Sequence, residues 1–108
     1  NMIDSNNSVY NLDWGDIYVD SYNTNIKTAT IIFNFKISQD SYESIFIYSI
    51  GQIFWTYKNL PPRSNIVVIF DARGQDFDLG LFEKLEKAIH SHIATLGVRT
   101  NINLVLKN

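Results

Sequence analysis

Apolar and polar side chains alternate from residue 27 to 37, with Ala29, Ile31, Phe33, Phe35 and Ile37 on one face. Thr28, Thr30, Asn34 and Lys36 take the other, and Ile32 alone breaks the pattern. A period of two marks a strand with one buried face. Residues 16–19 form a shorter strand candidate and 21–25 are rich in turn formers, so the two segments predict a hairpin.

The period then changes. Tyr42, Ile45, Phe46, Ile50, Ile53, Phe54 and Tyr57 recur at helical spacing, predicting a helix over 41–58. Asp40 with Glu43 three residues on resembles a capping arrangement, and Pro61-Pro62 stops the helix. Ile47, Tyr48 and Trp55 widen the stripe beyond that of a surface helix. Such a helix is buried on more than one side or offers an aromatic face to a partner.

Ile66-Val67-Val68-Ile69-Phe70 is a continuous apolar run, which predicts a strand buried on both faces. Leu79, Phe82, Leu85, Ile89, Ile93 and Leu96 mark a second helix. Asp76 and Asp78 lie at the positive end of its dipole, and Gly97 is a natural left-handed terminator. Ile102, Leu104 and Leu106 define a last strand over 100–106. The order is β-β-α-β-α-β. Right-handed crossovers then give a small mixed α/β sheet with the helices packed on it. Residues 1–108 form one domain with a frayed polar lead-in over 1–8, and the opening Asn1-Met2 suggests a fragment of a larger protein.

Composition narrows the chemistry. At 45% hydrophobic and 14% aromatic, the chain belongs with folded globular proteins rather than disordered ones. It has no cysteine, which excludes disulfides, thiolate metal sites and a cysteine nucleophile. No apolar run is long enough to cross a bilayer. A net charge of −2 is the wrong sign for a general nucleic-acid binder, so any such contact needs a local patch or a partner.

Asp71, Ala72, Arg73, Gly74 and Gln75 follow the apolar run directly and precede the second helix. Ligands of open α/β sheets bind just past the carboxyl ends of strands. There Arg73 can grip a phosphate or carboxylate, Gln75 can hydrogen-bond a base or oxyanion, and Asp71 can act as a base. The same residues also fit a structural Asp71–Arg73 ion pair with Gly74 in a left-handed turn. His90 and His92 stand two apart on the second helix, roughly 200° apart around its axis, so they cannot serve one metal or one relay. No metal or cofactor site is expected. Arg63 and Arg99 should lie at the end of the sheet away from Arg73; Lys58 and Lys84 are further candidates for a cationic patch.

From residue 60 onward the chain resembles the carboxyl-terminal toxin domains of bacterial polymorphic toxins, including contact-dependent inhibition and hemagglutinin-like effectors. Pro61-Pro62, the strand of Ile66 to Phe70, the Asp71–Gln75 turn, a helix and a final strand carry the likeness. The resemblance implies the tip of a secreted or cell-surface-delivered effector, acting in a target cell's cytoplasm without inserting into the membrane. It implies a metal-independent ribonuclease, with tRNA a candidate substrate. Arg73 would stabilise the phosphate, Gln75 would orient it, and Asp71, His90 or His92 would move protons. A cognate immunity protein and a host RNA-binding protein presenting the RNA are the implied partners. The competing expectation is a non-enzymatic protein-binding module, such as an immunity or adaptor protein, using the aromatic helix over 41–58.

Overall fold

A computed structural model of the chain describes residues 10–12, 15–35 and 42–108. The elements are β1 (Tyr10–Leu12), β2 (Gly15–Asn23), β3 (Thr28–Phe35), α1 (Tyr42–Lys58), β4 (Asn65–Asp71), α2 (Leu79–Thr95) and β5 (Ile102–Lys107). The β-β-α-β-α-β order is therefore present as β2 through β5, with the short β1 added at one edge. The expected lead-in over 1–8, and Lys36, Ile37, Asp40 and Ser41, lie outside the described residues.

The strands lie side by side in chain order, β1-β2-β3-β4-β5. β1–β2 and β2–β3 are antiparallel, whereas β3–β4 and β4–β5 are parallel. The hairpin turn falls at 24–27, not at 21–25 as the turn-forming residues suggested. Asn23 explains the shift: its side-chain oxygen accepts the backbone N–H groups of Asn25 at 2.9 Å and Ile26 at 3.3 Å. That side-chain turn lets β2 continue to Asn23, with an irregularity in register between Val19 and Ser21.

Both crossovers step across the sheet in the same direction, β3 to β4 and β4 to β5. Right-handed connections then place α1 and α2 on the same face. The helices meet there: Lys84 Nζ sits 4.9 Å from the Tyr42 ring centre, and Phe46 meets His92 edge-on at 5.7 Å. Beneath them the sheet buries Ile17, Ile31, Phe33, Ile66, Val68 and Phe70 completely. α1 adds Ile45 and Ile53, and α2 adds Phe82, Leu85, Ile89 and Ile93. Phe46, Tyr48, Ile50, Trp55 and Tyr57 pack around this core half-buried, so the aromatic breadth of α1 serves mainly its own fold.

α2 begins where Asp78 caps it, the carboxylate accepting the Leu81 N–H at 2.7 Å. It ends before Gly97, whose φ of 75° is the left-handed value expected of a terminator. No helix among the described residues is long and apolar enough to cross a membrane.

One-sided helix packing corrects the reading of β4. Ile66, Val68 and Phe70 are buried, but Val67 and Ile69 point to the second face and are only half-buried. No described element covers that face.

Candidate functional site

β4 ends on Asp71, and the chain turns at once. Ala72 is buried and donates its N–H to the Lys107 carbonyl at 2.8 Å, while the Gln75 N–H closes on the Ala72 carbonyl at 3.0 Å. Gly74 takes the left-handed position of this turn with φ 78°. The geometry holds Arg73 outward, 65% exposed, beside an Asp71 side chain that is 18% exposed.

The guanidinium fork closes on Asp71: Arg73 Nε donates to Oδ1 at 2.8 Å and Nη2 to Oδ2 at 2.6 Å. This is a bidentate, charge-assisted pair. Arg73's hydrogen bond holds the Asp71 carboxyl below the usual aspartate range, with Lys107 adding a smaller pull in the same direction. Such a carboxylate is a poor proton acceptor at neutral pH, because a general base works best with a pKa near the operating pH. Its contribution to stability is complete above the unfolded-state pKa, about 4, and is lost as the pH falls through the lowered folded-state value. In an Arg73→Ala variant the Asp71 carboxyl should titrate higher, back toward the ordinary range. A carboxyl-detected NMR titration of the two proteins checks this.

Asp71, Arg73 and Gln75 thus meet at one turn; His90 and His92 do not join them. α2 leaves the turn at Leu79 and carries His90 eleven residues onward, about 16 Å along the axis at 1.5 Å per residue. Both histidines are exposed, and the His92 ring rests against Phe46 of α1.

No family model, curated protein or solved structure matches this chain.

The second face of the sheet carries a more extended arrangement. Register aligns Tyr18 with Ile32, Ile32 with Ile69, and Ile69 with Val105. Alternation places all four opposite the helices. Adjacent strands are about 4.8 Å apart, so this apolar row crosses roughly 15 Å of sheet. Tyr18, Ile32 and Ile69 are half-buried, and Val105 is 36% exposed. The next row toward the strand-end turn is polar: Asp16, Asn34, Asp71 and Lys107.

Tyr18 reports the electrostatics of this face. Partial burial raises its phenol pKa first, and the carboxylates of Asp20, Asp16 and Asp71 raise it further. Negative charge therefore gathers on the β2 side, with Lys107 at the β5 corner. Two sequence signals pointed here: Ile32, the exception to its strand's alternation, and the unbroken run from Ile66 to Phe70.

Proposed function

We propose that this domain is a non-enzymatic protein-binding module whose partner covers the open face of the sheet. The Tyr18–Ile32–Ile69–Val105 row carries this reading, since it crosses four strands on a face that no described helix covers. A sheet face turned to water ordinarily alternates to polar residues, and a contiguous apolar patch marks an interaction surface. The flanking Asp16, Asp20 and Asp71 define the partner's chemistry. It presents an apolar centre bordered by lysine or arginine, which meets the acidic β2 side. The clasped Asp71–Arg73 pair is then a rigid rim of the docking surface rather than a catalytic group.

Photo-crosslinking in producing cells tests the reading. A photoreactive residue at Val105, on the open face, should give one discrete protein adduct. The same residue at Lys87, exposed on α2, should not. The crosslinked peptide should come from an apolar surface rimmed by basic residues. Equal adducts from both positions, or none from position 105, would count against the open face.

The ribonuclease reading keeps one supporting observation, an exposed Arg73 at a strand end that leads into a helix. On that reading the domain is the delivered tip of a polymorphic toxin, with an immunity protein as its partner. Growth arrest with RNA cleavage on induction in bacteria, relieved by Arg73→Ala, would put that function in place of the binding module. Normal growth with intact RNA and a folded protein would remove it.

A further inference from the structure

At the opposite end of the sheet from Arg73, Lys58, Arg63 and Arg99 line a single cavity of about 420 Å³. They come from three separate segments: the end of α1, the loop into β4 and the loop into β5. Among the described residues, no acidic side chain lines the cavity. None of the three cations forms an ion pair with a described residue, and Lys58 Nζ lies 5.0 Å from the Phe54 ring centre. All three are exposed, so water screens their mutual repulsion and leaves them available to an incoming anion.

The floor of the cavity is fixed. Ser64 is buried and donates from Oγ to the Pro61 carbonyl at 2.7 Å. Its only hydroxyl proton is thereby committed, so the Tyr22 hydroxyl, 3.1 Å away, is the donor in their contact. The Thr100 hydroxyl donates to the Ser64 carbonyl, tying the two cation-bearing loops together. Such a floor is made before any ligand arrives.

Arg63 supplies a second, independent observation. Its φ is 64°, the left-handed region where a side chain beyond glycine is strained. Backbone strain of this kind persists where the surrounding structure enforces it and gathers at ligand-binding positions. Glycine would occupy this turn without strain, yet the position holds an arginine that lines the cavity.

We propose that this cavity binds a small molecule carrying a diphosphate, such as a nucleoside diphosphate. It is a site separate from the open face. A single phosphate monoester carries about −1.5 to −2 charge at neutral pH, so three cations suit a diphosphate better than one phosphate. The two arginines offer planar forks for paired phosphate oxygens, and Lys58 adds a point charge. The volume falls within the range of about 300–1,000 Å³ typical of small-molecule sites. Tyr57, Pro61 and Pro62 give the organic portion an apolar wall.

Calorimetric titration of the domain with ADP, pyrophosphate and inorganic phosphate tests this. One saturable site is expected for ADP and for pyrophosphate, with both tighter than phosphate and weakened by salt. Arg63→Gly should weaken both by about tenfold or more, while the melting temperature holds or rises because the left-handed strain is relieved. Arg99→Gln should weaken binding similarly from the other loop. Absence of saturable binding of ADP and pyrophosphate up to about 5 mM, or binding that survives both substitutions, would overturn the proposal.

Discussion

Replacing Ile69 with aspartate should weaken binding of the covering protein by about 30-fold or more, a loss of about 2 kcal/mol. The domain itself should stay folded. Ile69 stands inside the apolar row, between Ile32 and Val105, on the face without helices. In the free domain Ile69 is half-buried on a central strand, so partial desolvation of a carboxylate and the loss of cross-strand packing cost about 1–3 kcal/mol. Each kcal/mol lowers the melting temperature by about 4–8 °C. In the complex the same carboxylate would be buried among the partner's apolar groups without a counter-charge. Calorimetric titration of the purified partner, paired with thermal melts, separates the two effects. Ile69→Val should retain most of the binding.

The adjoining residue gives the opposite result. Phe70→Ala should destabilise the fold by about 3–5 kcal/mol, a large share of the roughly 5–15 kcal/mol that holds a domain of this kind together. Phe70 is fully buried on the helix side. Its ring stacks on Phe33 at 4.9 Å with 7° between planes, and meets Phe35 and Phe82 near edge-on at 5.9 Å and 5.7 Å. Truncation removes all three contacts and leaves a cavity that a rigid sheet cannot close. The midpoint of urea unfolding should fall with little change in slope. Residues 69 and 70 thus divide two roles across one strand. If Ile69→Ala cost as much stability as Phe70→Ala, the second face would be covered from within the chain.

Local periodicity made much of the fold legible. The alternation around Phe33, the helical stripes, Asp78 at the start of α2 and the Gly97 terminator all lie where side-chain spacing and backbone preference put them. The side of the sheet taken by each helix was not legible in this way. It depends on strand order, because only two crossovers stepping in one direction leave a face open, and strand order is a non-local property. The continuous run from Ile66 to Phe70 therefore read as two-sided burial, when Val67 and Ile69 face outward. The hairpin turn moved because Asn23 organised it from its own side chain, which overrode a count of turn formers.

The candidate site shows the same division. The Asp71–Arg73 pair and the left-handed Gly74 were among the sequence alternatives because residues two apart at a strand end can meet locally. His90 and His92 were candidates only by residue type, and the length of α2 separates them from the turn. Arg63 and Arg99 lie at the far end of the sheet, as parallel strand direction required. Lys58 joins them, but Lys84 instead covers the Tyr42 ring between the helices. That three of these cations share one cavity is a tertiary fact with no local signature.

Methyl-detected NMR of the unsubstituted domain, alone and with the purified partner that the crosslink identifies, tests most directly whether the second face is the docking surface. The methyl signals of Ile32, Ile69 and Val105 should shift or broaden on binding. Those of Ile47 on α1, 63% exposed, and Leu79 on α2, 57% exposed, should stay in place. Movement of Ile47 and Leu79 with Ile32, Ile69 and Val105 unchanged would contradict open-face docking.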